Sequence, residues 1–208
     1  MKPSFTKMLQ GYEAFREKYA LGDQSVMKCL SHYGQQPNIM VVACCDSRVD
    51  PALILQCDPG DLFVVRNVAN IVPPYEKDEA YHGTSAALEF GVDYLKVEHL
   101  ILLGHSQCGG IKALLDNTDL NQNDFISNWV SIVRKDNFSI ENADDCAKLA
   151  LHQSHQNCLT FPWILGKILR QELTIHLWFF DIQTGQIFTY SEEEQQYHPL
   201  IAEKILLG

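Results

Sequence analysis

Long apolar runs are missing from this 208-residue chain. The stretches that come nearest, Ile39–Cys45, Leu100–Leu103 and Leu177–Phe180, are far too short to span a bilayer, which takes about 20 residues. Met1–Gln10 carries two lysines but no apolar core and no small-residue cleavage site, so no signal peptide is read there and a cytoplasmic location is expected. Positive charge is also scarce: 16 Lys and Arg stand against 26 Asp and Glu, a formal charge of −10. A surface of that sign repels phosphate backbones and no basic cluster offsets it, so neither nucleic acid nor a membrane is an expected partner. Cys-x-x-Cys does not occur, the seven cysteines are an odd number, and a disulfide framework is not expected. Repeats, low-complexity tracts and domain linkers are absent too. With 46% hydrophobic residues, the length suits one domain with a sizeable core.

What is present is an alternation of strand and helix signals. Apolar spacing predicts helices over 3–31, broken at Gly22-Asp23. A buried strand is expected at 38–45, a brief helix at 51–56, a turn at 58–61 and a second strand at 62–66. A loop at 72–77, a helix at 83–95, a third strand at 99–104 and a helix at 111–115 follow. Beyond a polar loop at 116–124, helices are expected at 125–133 and 143–159. A fourth strand at 173–181 and a fifth at 186–190 are joined by a tight turn ending at Gly185, as in a hairpin. A short helix is expected to close the chain at 199–207. The pattern is α/β: a central sheet of four parallel strands plus an antiparallel edge strand, flanked by helices. The organisation read from it is a helical arm at 1–33, a core at 34–190 and a C-terminal helix at 191–208. In such sheets ligands bind beyond the C-terminal ends of the strands.

Two of those strand ends carry metal-binding residue types. His105-Ser106-Gln107-Cys108 follows the third strand, and imidazole and thiolate two residues apart can face one point. A buried Cys beside a capping His would look the same. The first strand ends Cys44-Cys45-Asp46-Ser47-Arg48, and strand period two sends the two cysteines to opposite faces, leaving one for a metal site. Asp46 and Arg48 are spaced to pair, which keeps the carboxylate ionised and oriented. Three ligands with one open position is the pattern of catalytic rather than structural zinc.

Cys44-x-Asp46-x-Arg48 followed by His105-x-x-Cys108 resembles the β-class carbonic anhydrases. So do Phe63-Val-Val-Arg66-Asn67-Val68-Ala-Asn70 and Gly104-His105-Ser-Gln-Cys108-Gly109-Gly110. The resemblance extends over about residues 34–182 and makes Cys44 the ligand and Cys45 the spacer. It implies one zinc per subunit on Cys44, His105 and Cys108, and reversible hydration of carbon dioxide to bicarbonate. It implies that Asp46 either pairs with Arg48 or, in an inactive form, becomes the fourth ligand. It further implies a substrate pocket of Phe63, Val68 and Phe90, with the Gly109 N–H near the substrate and Gln35 reaching in from a neighbouring subunit. A homodimer is the implied minimal unit, and a tetramer is expected. Two departures stand out. Phe90 occupies a position that is Tyr in many plant-like members. Val41 and Ala43 replace the Trp and Gly of members with a pH-dependent bicarbonate switch, so the expected resting state keeps Asp46 on Arg48.

Other readings are weighed alongside. A relative on the same scaffold acting on another small cumulene, such as carbon disulfide, would keep the ligands. A non-catalytic zinc module would have no use for an oriented carboxylate beside an open position. A vicinal-thiol redox protein suits cysteines that point apart poorly. His152, His155 and Cys158 invite a second metal, but residues i and i+6 of a helix differ by about 240° net, so convergence is not expected. Cys45 is expected to be buried behind its strand, and His82 to cap a helix or lie exposed.

Overall fold

The computed structural model describes residues 2–78, 80–116, 124–133 and 142–201. Four strands run parallel: β1 (Ile39–Cys44), β2 (Leu62–Asn67), β3 (His99–His105) and β4 (Thr174–Phe180). They stand in the order β2-β1-β3-β4, and β5 (Ile187–Ser191) and β6 (Gln196–Pro199) extend the sheet antiparallel beyond β4. Because β2 lies on one side of β1 and β3 on the other, chain order reverses at β1. Open α/β sheets part their connecting loops at such a point and leave a crevice at the strand C-termini. Cys44 and His105 are the last residues of the two strands that flank it.

Both strands are continuous apolar runs because both of their faces are covered. Met40–Ala43 have no exposed surface, and Leu100–Leu103 are at most 3% exposed. One cover on β3 is α7 (Ala143–Leu159), whose buried residues Cys146, Ala147, Ala150, Leu151, Ser154 and Cys158 form a helical stripe. Its approach depends on Gly104, where a Cβ would lie 2.9 Å from Leu151 Cδ1. A further helix, α5 (Gly109–Asp116), starts directly behind the metal-binding residues.

The expected sheet is present, with one strand more. Gln196–Pro199 pairs with β5, so the C-terminal helix expected from residue 191 does not begin there; Pro199 ends a strand, and residues 202–208 lie outside the described ones. An edge strand four residues long shows too few alternations to be read from sequence. The polar loop expected at 116–124 likewise falls mostly outside the described residues. A helix at Pro162–Leu169 is additional, and Pro162 at its first turn is its start signal. The helix expected at 83–95 divides into α4 (Gly83–Glu89) and a π-helical turn at Phe90–Tyr94. That turn presents Gly91 to the sheet, where a Cβ would fall 2.6 Å from Met40 Sδ.

At the other end of the chain, α1 (Pro3–Tyr19) and α2 (Val26–Tyr33) have no buried residue. Phe5, Met8, Tyr12 and Phe15 lie at helical spacing on α1, and each is at least 40% exposed.

Candidate metal centre

Cys44, His105 and Cys108 come together at the crevice, their ligand atoms all within 4.8 Å of one another. Each is at most 4% exposed. The two sulfurs are 3.9 Å apart, and two thiolates on a tetrahedral zinc with bonds of about 2.3 Å stand about 3.8 Å apart. His105 Nδ1 is 2.9 Å from the Ser106 carbonyl, which makes Nδ1 the donor and leaves Nε2 as the free lone pair. Nε2 is buried and has no hydrogen-bond partner. A buried orphan acceptor costs about 1–3 kcal/mol, and a cation between it and the two sulfurs removes that cost. The residues present therefore fit zinc.

The charge balance points the same way. One proton leaves the thiol pair readily: the hydrogen bond from Cys108 holds the Cys44 thiol well below its ordinary value, and backbone N–H groups of Asp46 and Ala69 add to this. Cys108 is pushed up by the thiolate beside it and by burial. Two adjacent thiolates repel each other until a cation sits between them.

The surrounding backbone is shaped for these ligands. Ala69 adopts the left-handed region at φ 62°, which costs a non-glycine residue about 1 kcal/mol or more. Its N–H is one of the donors that favour the Cys44 thiolate. Gln107, between the two ligands after β3, is also left-handed at φ 54°, and its N–H is held at 2.8 Å by Asp144 Oδ1 of α7. Ser106 donates to Asp181 Oδ1 at 3.3 Å and accepts from the Ile182 N–H at 2.9 Å. Gly110 lets α5 approach this corner, since a Cβ there would lie 2.6 Å from Val68 Cγ1. Asp144, Ser106 and Asp181 were not singled out from the sequence. A lone acid or serine carries no local signal, and the bonds that tie these three into the ligand loop span 37 or more residues.

Asp46 and Arg48 form a bidentate pair. Arg48 Nε donates to Asp46 Oδ1 at 2.9 Å and Nη2 to Oδ2 at 2.7 Å, while the Arg48 backbone N–H also reaches Oδ1 at 2.9 Å. This holds the Asp46 carboxyl well below the usual carboxylate range. Arg48 reaches the Gln107 carbonyl as well, at 3.4 Å, which ties the two ligand loops together.

The remaining expected site residues are dispersed. Val68 lines an apolar cleft of about 800 Å³ with Pro73, Tyr81, Phe125, Ile126 and Trp129. Cys45 opens onto the same cleft and is exposed; it was expected to be buried, but β1 ends at Cys44 and none of the described residues covers its outer side. Phe63 and Phe90 meet each other instead, ring centroids 5.8 Å apart, and Phe90 is 43% exposed. Gln35 is exposed in the segment after α2, and a Cβ on Gly109 would meet nothing within 4 Å. Among the described residues, His152, His155 and Cys158 form no metal cluster. His152 packs on Tyr190, and burial pushes the Cys158 thiol up to about 12. His82 does not cap α4; its Nε2 lies 2.6 Å from Asp78 Oδ1.

A buried Cys₂His set with an ionised carboxylate alongside, at the reversal point of a parallel sheet, defines the class: a mononuclear metalloenzyme on an α/β scaffold. Comparison with known proteins gives the family. The family model described as carbonic anhydrase matches residues 39–187. A carbonic anhydrase of Synechocystis is 34% identical over 88% of this chain and 70% of its own length. Beta carbonic anhydrase 5, chloroplastic, of Arabidopsis thaliana is 38% identical over 83% of this chain and 60% of its own length. Among solved structures, the β-carbonic anhydrase CcaA superposes with a TM-score of 0.83 at 33% identity, covering 95% of this chain and all of that one. The chain belongs to the β-class carbonic anhydrases, zinc lyases that hydrate carbon dioxide reversibly.

Proposed function

We propose that this chain interconverts carbon dioxide and bicarbonate at the crevice between β1 and β3, with Cys44, His105 and Cys108 holding one zinc per subunit and Asp46 and Arg48 serving the open side of the metal. When bound, zinc supplies a Lewis acid that makes water acidic enough to react near neutral pH. The observation that carries the reading is the bidentate Asp46–Arg48 pair beside a three-ligand set. A structural zinc closes its fourth position with another ligand, whereas an oriented carboxylate beside an open one accepts a hydrogen bond from the reacting water. Both Asp46 oxygens are engaged by Arg48, so the side chain is held off the metal in the open arrangement. Val41 and Ala43 are proposed to keep it so across pH. A structure near pH 7 with Asp46 on the zinc would overturn that part.

Carbon dioxide offers no charge to grip, so its pocket needs apolar walls and one polar guide. Val68 is proposed as such a wall and the N–H of Gly109, where a Cβ would meet open space, as the guide. Gln35, Phe63 and Phe90, which this chain leaves at or near its surface, are proposed to complete the pocket across a subunit interface. The supporting observation is the exposed apolar stripe of α1, which none of the described residues covers. A homodimer is therefore proposed, assembled into a tetramer as are the two β-carbonic anhydrases of Sordaria macrospora, one matching at 30% identity over 89% of this chain with a TM-score of 0.71. The chain is proposed to act as one catalytic unit, its single sheet spanning Ile39 to Pro199. A reducing compartment, the cytoplasm, is proposed because the two ligand sulfurs are close enough to suffer oxidation elsewhere. Among the described residues no helix is long and apolar enough to cross a membrane. The deciding experiment is stopped-flow hydration of carbon dioxide by the zinc-loaded protein; no rate above background with zinc bound defeats the proposal.

A further inference from the structure

Arg66 lies outside the proposed chemistry, yet its three side-chain hydrogen bonds among the described residues all go to one loop, the one that carries Cys44 and Asp46. It stands on β2 opposite Ala43 of β1, on the rigid part of the sheet. Its Nε donates to the Cys44 carbonyl at 2.9 Å, Nη2 to the Asp46 carbonyl at 2.7 Å, and Nη1 to Asp50 Oδ2 at 2.7 Å. Asp50 is itself anchored: its Oδ1 caps the short helix Pro51–Ile54, accepting from the Ala52 and Leu53 N–H groups at 3.1 and 3.4 Å. The segment from Cys44 to Asp50 is thus wrapped around one planar cation and touched at its start, middle and end. A guanidinium meets three fixed directions at once, which the single ammonium of lysine does not.

We propose that Arg66 is a positioning residue for the metal centre: it sets the pose of the Cys44 sulfur and the Asp46 carboxylate through their backbone carbonyls, without touching substrate. The Cys44 carbonyl lies in the peptide plane that follows the Cys44 Cα and the Asp46 carbonyl in the plane that follows the Asp46 Cα, so holding both fixes the backbone on the C-terminal side of each residue and restricts the direction in which its side chain leaves. Arg48 then orients the carboxylate group itself. The two arginines divide the work, one on the backbone and one on the side chain. Without Arg66 those carbonyls lose their brace, and between the Cys45 N–H bond to the Asn67 carbonyl at 2.9 Å and the Asp50 cap the loop is held by Arg48 alone, through its Asp46 pair and a long 3.4 Å contact to the Gln107 carbonyl. A misplacement of about 1 Å at a reacting centre costs on the order of 10²-fold in rate.

The inference rests on the assignment of Cys44 and Asp46 made above. Its test compares Arg66→Met, Arg66→Lys and Asp50→Asn with the wild type, each loaded in turn with zinc for stopped-flow hydration and with cobalt(II) for visible absorption. In Arg66→Met, turnover per bound zinc is expected to fall at least about tenfold with KM within about threefold, and the cobalt d–d bands to shift. Arg66→Lys recovers part of both effects, and Asp50→Asn shows the smallest shift. Turnover per zinc within about twofold of wild type together with superimposable cobalt bands in Arg66→Met overturns the proposal. So does activity that falls only in proportion to metal content or folded fraction. If Arg66→Met does not fold, the same readings on the other two variants decide, and wild-type values in both overturn it. A wild type without hydration activity would sink the assigned function, while the cobalt spectra would still judge Arg66.

Discussion

Cys44 has a neighbour of the same kind one residue on, and their fates differ because a strand alternates its sides. Cys44 turns into the crevice, 3.9 Å from Cys108, and Cys45 turns out to the surface. Cys44→Ser is expected to lower zinc from one per chain to under about a tenth and hydration at least about 10²-fold, read by metal analysis and stopped flow. Zinc retained in that variant would mean that the ligand set is wrong. Asp46 gives a pH signature. Its folded-state pKa is depressed by Arg48, so the stability it contributes is present above the unfolded carboxylate value of about 3.9 and is lost as pH falls toward the folded value. The gap in Tm between metal-free wild type and metal-free Arg48→Gln is expected to be widest near pH 7 and to narrow progressively as pH falls below about 4, measured by calorimetry across that range. A gap that stays constant down to pH 3 would show that the pair is not its source. The His105-x-x-Cys108 step and the Asp46–Arg48 spacing were legible because they are short, whereas Cys44 was chosen over Cys45 by the family resemblance. The cleft-facing Cys45 was misread because exposure at a strand end depends on what covers it.

Among the elements, α7 and β3 carry the metal centre between them. Leu151 has no exposed surface and sits over Gly104, one residue before His105. Leu151→Ala is expected to destabilise the fold by about 2–5 kcal/mol in urea denaturation. Gly104→Ala, which pushes a methyl into Leu151, is expected to cost about 1–3 kcal/mol. If both variants match the wild type, α7 does not brace β3. The span of α7 was expected from the sequence, and the core strands from their apolar runs. The helix Pro162–Leu169, the edge strand β6 and the π-helical turn at Phe90–Tyr94 were not. A short edge strand exists only because a neighbour offers unpaired backbone. The π-turn accompanies Gly91 pressed against Met40 and Phe63, a contact the local spacing does not show.

At the scale of the whole molecule, the apolar stripe of α1 is left exposed among the described residues. Over its 17 residues α1 buries none, while Phe5, Met8, Tyr12 and Phe15 face outward together. Exposed apolar stripes of this kind mark contact surfaces. Phe5→Glu combined with Tyr12→Glu is expected to move the protein to a smaller assembly in light scattering after size-exclusion chromatography, with the fold of the core unchanged by circular dichroism. An unchanged mass would separate α1 from assembly.

The sequence by itself determined the alternation of elements, the parallel sheet, the ligand types and the acid–base pair, because each rests on neighbours close in the chain. Only the tertiary structure decided which strands stand side by side, and so that β1 and β3 bring Cys44 to within 3.9 Å of Cys108, 64 residues away. It also decided that Arg66, 16 to 22 residues from the groups it holds, braces their loop. Contacts of that range follow from how the sheet is ordered, and strand order is set by the packing of the whole core rather than by any one segment.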